Sequence, residues 1–426
     1  MSAIIAKTPP MGWNSWDCFG TSVTEAEVIA NTDYMAAHLK PYGWEYIIVD
    51  IQWYEPDAES SHYRPFVPLE MDEYGRLLPS VKRFPSAAEG KGFKPLADYV
   101  HSQGLKFGMH IMRGIPRQAV HSDTQVLGSA VTARKIAHTN SICPWNTDMY
   151  GVNPNKPGAQ EYYNSLFNLY AEWGVDFIKV DDIAQSKLYG YHKGEVELVH
   201  KAIGQCGRDI VLSLSPGPAP VEEGDHLRKH ANMWRMTDDY WDDWKDLIVM
   251  FDKCHSWAPY VGLGHWPDAD MLPLGHLAIR SRERNAGNRL TRFTKDEQRT
   301  MMTLWCMFRS PLMFGGHMPD NDEWTLSLLT NEEVLRILSH SYWNRQLFRD
   351  GDRVAWTAKD EGGDVYLALF NLGSEEISVS VDLDLLELTG SMELRDLWEQ
   401  KYLPAVIGRV EAVVPSHGCV LYKLSQ

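Results

Sequence analysis

Trp173-Gly174-Val175-Asp176-Phe177-Ile178-Lys179-Val180-Asp181 decides the fold. A helical pattern from Ala159 to Trp173 ends on Gly174, a residue suited to the left-handed cap. A short strand follows, apolar on both faces and ending in a carboxylate. The same texture recurs at Tyr46-Ile47-Ile48-Val49-Asp50-Ile51, Lys106-Phe107-Gly108-Met109-His110-Ile111 and Ile210-Val211-Leu212-Ser213-Leu214-Ser215. Helical patterns lie between. Thr24-Glu25-Ala26-Glu27 reads as a capping box opening a helix toward Leu39, and Pro95 starts another that Gly104 ends. Such alternation, from Met11 to about Ser310, defines an α/β fold. Asp50, His110, Asp181, Ser215, Asp239 and Asp270 each fall at or just after a predicted strand's C-terminal end. A (β/α)8 TIM barrel gathers such positions into one site. No G-x-G-x-x-G follows the first strand, so a dinucleotide site has no support.

The texture changes at about Tyr342. Val354-Ala355-Trp356-Thr357, Val365 to Phe370, Val379-Ser380-Val381 and Cys419 to Leu424 read as short strands broken by Gly, Asp and Asn. The predicted organisation is a catalytic barrel over 1–341 and a C-terminal antiparallel β-sandwich domain over 342–426. The connection from Arg113 to Pro157, after the third strand, is long for a barrel and carries Trp145. Loops of that length are usually functional, so it is expected to cover the active site or pack on a neighbouring subunit.

Composition excludes several classes. A formal net charge of -16 opposes nucleic-acid binding, which needs clustered Lys and Arg. No apolar run approaches the roughly 18 residues that span a bilayer, so no membrane partner is expected. The six cysteines are scattered without a C-x-x-C pair, and residues 1–10 carry no secretion signal. The chain is expected to be cytoplasmic, with a homo-oligomer left open. The 16 tryptophans suit either a large core or stacking against sugar rings.

Two motifs carry chemistry. In Lys179-Val180-Asp181, strand alternation turns Lys179 and Asp181 to one face. A cation beside a carboxylate keeps it ionised, as a nucleophile requires. The competing reading is a buried ion pair that only braces the barrel. In Trp234-Arg235-Met236-Thr237-Asp238-Asp239-Tyr240-Trp241, one of two adjacent aspartates should enter the site. Packing by Tyr240 and Trp241 could raise that acid's pKa, as an acid catalyst requires. Asp242 and Asp243 read as a solvated loop. Two carboxylates fit glycoside cleavage. A metal-dependent sugar isomerase would instead cluster ligands such as Asp50, Asp181, Asp270 and His110. A non-catalytic carbohydrate-binding protein would lack one of the two carboxylates.

The chain resembles glycoside hydrolase family 27, the α-galactosidase and α-N-acetylgalactosaminidase family. The resemblance rests on Pro10-Met11-Gly12-Trp13-Asn14-Ser15-Trp16, on Trp173 to Asp181, on Trp234 to Asp239, and on Pro267-Asp268-Ala269-Asp270-Met271-Leu272. It implies a retaining, exo-acting hydrolase of small oligosaccharides or glycosides that needs no metal and no cofactor. Asp181 would be the nucleophile and Asp239 the general acid/base. Trp16, Asp50, Lys179, Arg235 and Asp270 would bind the sugar, with Ile51, His110 and Ser215 in the same pocket. Three departures stand out. The family usually has a second aspartate where Ile51 stands and often a tyrosine at His110. Many secreted members have a cysteine where Ile183 stands. The loop Ser215-Pro216-Gly217-Pro218 has a serine, as N-acetylgalactosaminidases do, and lacks the galactosidase glutamate. Ile51 cannot accept a hydrogen bond from a galactose 6-hydroxyl. The expected preference is therefore β-L-arabinopyranoside, which lacks that group, with α-D-galactoside next and α-N-acetylgalactosaminide as the alternative.

Overall fold

The computed structural model describes residues 4–282 and 287–426. Eight parallel strands form the first domain: β1 (Met11–Asn14), β2 (Tyr46–Val49), β3 (Lys106–Met112), β4 (Phe177–Asp181), β5 (Val211–Leu214), β6 (Met233–Arg235), β7 (Trp266–Asp268) and β8 (Leu312–Phe314). They pair in chain order, and β8 pairs with β1. Leu272, just past β7, closes the barrel: its N–H donates to Met313 and its carbonyl accepts from Gly315.

Helices cover each crossover: α1 (Glu25–His38), α2 (Lys94–Ser102), α3 (Ala159–Trp173), α4 (Lys193–Gln205), α5 (Gly224–His230), α6 (Trp244–Trp257), α7 (Lys295–Phe308), α8 (Glu323–Leu329) and α9 (Glu332–His340). The capping box at Thr24 and Glu27 forms, and Gly174 takes the left-handed conformation after α3. Half of the 16 tryptophans are structural: Trp13, Trp44, Trp53, Trp234, Trp257, Trp266, Trp305 and Trp356 are fully buried.

The C-terminal strands begin at Ser341. A six-stranded antiparallel sheet faces a two-stranded one, Ile377–Asp382 with Arg409–Val414. Period-two alternation divides the labour. Val365, Leu367 and Leu369 join Val379, Val381 and Val410 in the sandwich core. Tyr366, Ala368 and Phe370, on the other face, join the barrel's own core. The strand Val365–Asn371 is therefore buried along its whole length. Helix α7 is buried from Thr300 to Phe308 for the same reason, since it lies among this sheet, the barrel and α9.

Candidate active site

The C-terminal ends of the barrel strands open on a cavity of about 210 Å3. Trp16 and Asp17 follow β1; Asp50 and Ile51 follow β2; Lys179 and Asp181 lie on β4. Arg235 ends β6, Asp238 to Trp241 follow it, and Asp270 and Met271 follow β7. The long loop after β3 folds over this mouth as a small three-stranded sheet and contributes Trp145. Trp145 is half-buried against Tyr63, which stacks on Trp16 with the ring planes 11° apart.

Asp181 is held by two donors. His110 Nε2 lies 2.9 Å from Oδ2, and the Asp182 N–H donates to Oδ1 at 2.8 Å. Burial alone would push this carboxyl up. The His110 hydrogen bond and charge, then the Lys179 cation, outweigh it and hold the carboxyl down at about 2. Lys179 itself donates to Asp50 Oδ2 at 2.8 Å, and Asn14 Nδ2 donates to the same oxygen at 2.8 Å. The Ile51 N–H donates to Asp50 Oδ1, so the peptide that carries Ile51 is tied to the carboxylate before it. Asp50 is buried, yet its pKa is lowered: the Lys179 cation overcomes the burial cost.

On the opposite set of strands Arg235 forks between two carboxylates, Asp239 and Asp270, each at 2.9 Å. Asp270 sits at φ 83°, a left-handed conformation uncommon for a residue with a side chain. Its carboxylate accepts the Tyr240 N–H, and its carbonyl accepts from the Trp305 indole at 3.0 Å. Burial pushes its carboxyl up, against the pull of Arg235.

Eight of the ten residues expected in the pocket line it: Trp16, Asp50, Ile51, Lys179, Asp181, Arg235, Asp239 and Asp270. The other two, expected to bind the sugar, lie behind the wall. His110 is fully buried and does not reach the pocket wall; its Nε2 faces Asp181 instead. Ser215 is also buried, its hydroxyl turned to the Val180 carbonyl at 3.4 Å, and Pro216 forms the wall there. Asp239 itself is open to solvent at the pocket mouth. Its side chain is 55% exposed beside Arg235, whereas Tyr240 and Trp241, which line the same pocket, are almost fully buried. The direct partner of Lys179 is Asp50 rather than Asp181, so this buried ion pair joins β4 to the end of β2.

Asp17 was not anticipated. It lines the pocket almost fully buried, and its Oδ2 has no hydrogen-bond partner. It lies so near Gly315 that a Cβ there would stand 2.1 Å from that oxygen. Burial, then Asp270, pushes its carboxyl well above the usual range. The sequence signal was a lone carboxylate in the otherwise apolar Trp16-Asp17-Cys18-Phe19. Tyr63 had no local signal, since only tertiary packing brings it to Trp16.

His110 carries a prediction. Burial opposes ionisation of Asp181 and His110 favours it, so His110 holds down the pH at which this carboxylate takes up a proton. A lowered carboxylate pKa protects the ionised form as pH falls, and His110→Phe removes the leading cause of that lowering. The acid limb of kcat/KM should then move up, toward and past the ordinary Asp value of about 3.9. An acid limb identical to the native one would show that His110 does not position the carboxylate.

A cavity holding one ionised, doubly anchored carboxylate and one solvent-open carboxylate, with an aromatic wall and cations aimed inward, is the site of a glycoside hydrolase. Residues 8–121 and 146–339 match the family Alpha galactosidase A, and residues 350–424 match the Alpha galactosidase C-terminal beta sandwich domain. The chain belongs to this family, glycoside hydrolase family 27. It is similar to the crystal structure of a GH27 β-L-arabinopyranosidase from Geobacillus stearothermophilus, with 63% identity and a TM-score of 0.98 over 99% of this chain and 97% of that one. A variant of that enzyme has been crystallised in complex with arabinose. A candidate α-N-acetylgalactosaminidase from Bacillus halodurans is 56% identical, with a TM-score of 0.91 over 99% of this chain and 98% of that one. Alpha-galactosidase 2 of Arabidopsis thaliana is 28% identical over 99% of this chain and 90% of its own length. The unmatched residues 122–145 belong to the loop that carries Trp145. No described helix is long and apolar enough to cross a membrane.

Proposed function

We propose that the protein is a retaining exo-glycosidase whose preferred substrates are β-L-arabinopyranosides, with α-D-galactosides second. The observation that carries this reading is Ile51. Its side chain is 1% exposed and lines the pocket beside Asp50, in the place of the family's second aspartate. A galactose 6-hydroxyl set against it loses a partner it had in water. β-L-Arabinopyranose has the same ring configuration without the exocyclic CH2OH, and so has nothing to leave unpaired there. The 63% identity to a β-L-arabinopyranosidase supports the same preference.

In the proposed reaction Asp181, ionised by His110 and Lys179, attacks the anomeric carbon. Asp239 protonates the departing oxygen, then takes a proton from the water that releases the sugar. Asp50, Lys179 and Arg235 hold ring hydroxyls, and Trp16 stacks on the sugar's apolar face. Asp50 and Asp270 already pair with Lys179 and Arg235, cations standing where the isomerase reading would need ligands turned to a metal. We also propose a cytoplasmic enzyme divided at residues 341 and 342. None of its six cysteines is disulfide-bonded, in keeping with a reducing compartment.

Proton NMR of the first sugar released from a β-L-arabinopyranoside tests the mechanism. Retention predicts the β-anomer at early times, with the α-anomer appearing only by later mutarotation. An initial α-anomer would overturn the assignment of Asp181 as nucleophile.

A further inference from the structure

On the outside of the barrel, α4 and α5 bring metal-binding side chains together. Glu197 and His200 are one turn apart on α4, and His226 and His230 share a face of α5. Ligand atoms of Glu197, His226 and His230 all lie within 4.8 Å of one another. His226 Nε2 is 3.1 Å from Glu197 Oε1, and the two α5 imidazoles stand 4.0 Å apart between centroids. None of these residues lines the active-site pocket.

The orientation of the rings sets this group apart from a chance cluster. His230 Nδ1 lies 2.8 Å from the His226 carbonyl, and His200 Nδ1 lies 3.0 Å from the His230 carbonyl. A carbonyl only accepts, so each Nδ1 carries the hydrogen, and in the neutral ring Nε2 keeps its lone pair. His226 Nδ1 lies 2.7 Å from the Tyr191 hydroxyl, which can donate or accept. Every imidazole here has its Nδ1 held by an oxygen. That is how metal-ligating histidines are oriented and their tautomer chosen.

We propose that Glu197, His226 and His230 bind a divalent first-row transition ion, zinc above all, with His200 or water as a further ligand. Two imidazoles and one carboxylate form a donor set that zinc accepts, at ligand distances of about 2.0–2.2 Å. Helix spacing already groups the atoms within 4.8 Å, and binding turns the two α5 imidazoles out of their 4.0 Å stack so that both lone pairs meet the ion. The ion replaces the hydrogen between His226 Nε2 and Glu197. In the neutral ring that proton passes to Nδ1, which then donates to Tyr191. The bound ion ties α4 to α5, the helix that leads into β6 and Arg235.

Calorimetric titration of the chelator-treated full chain with Zn2+ tests the proposal, with Co2+ as a spectroscopic probe. One ion per chain should bind, and Co2+ should give the visible absorption of a low-coordinate site. Glu197→Gln and His230→Ala should each weaken binding at least about 10-fold, and Tyr191→Phe by about 10-fold. Turnover of a glycoside should be unchanged in all three. Glu197 is 54% exposed, so its replacement leaves the fold intact. Absence of saturable binding overturns the proposal. So does zinc binding that Glu197→Gln and His230→Ala leave unchanged, which would be adventitious.

Discussion

Asp181→Ala should lower kcat on any glycoside by a factor on the order of 10^4 or more, the scale at which losing a covalent nucleophile is felt. The fold should survive, since the replaced side chain is small and faces the cavity. Asp239→Ala should behave differently. A nitrophenolate leaves without protonation, so the first step persists and the glycosyl-enzyme accumulates. Azide needs no general base, and it should restore turnover and yield a glycosyl azide. Asp238 also lines the pocket. Should azide rescue Asp238→Ala and not Asp239→Ala, the two roles would have to be exchanged.

The second large effect concerns the substrate's sixth carbon. An unpaired hydroxyl against Ile51 costs roughly 1–3 kcal/mol. That corresponds to about 5- to 150-fold in specificity. Ile51→Asp should restore an acceptor, raising kcat/KM for α-D-galactosides and lowering it for β-L-arabinopyranosides. The new carboxylate would sit beside Asp50, whose charge Lys179 already compensates at 2.8 Å, and so the gain should fall short of a full exchange. Equal slowing of both substrates would show that Ile51 is only a packing residue.

Much of this architecture was legible because a parallel barrel writes two strong signals into its sequence. Its strands are largely apolar on both faces, as in Phe177–Asp181, and carboxylates gather where the strands end. Asp50, Asp181 and Asp270 could be placed by those signals and Lys179 by strand alternation, and the family resemblance added Arg235 and the roles of all five. Side-chain direction beyond a strand end was not legible. His110 and Ser215 occupy the right positions, but each is buried behind the pocket wall, His110 against Asp181 and Ser215 against the Val180 carbonyl. The exposure of Asp239 was not legible for a related reason. Neighbours in a loop need not share an environment, and Tyr240 and Trp241 are almost fully buried while Asp239 stays open beside Arg235. Tyr63 depends on two long loops meeting over the barrel, a contact with no local sequence pattern.

The preference for a sugar without an exocyclic CH2OH is tested most directly by kcat/KM on nitrophenyl β-L-arabinopyranoside and nitrophenyl α-D-galactoside, measured side by side with α-N-acetylgalactosaminide as a third substrate. A buried Ile51 beside Asp50 predicts that the arabinopyranoside leads by about 5- to 150-fold. Equal or faster cleavage of the galactoside, or of the N-acetylgalactosaminide, would contradict it.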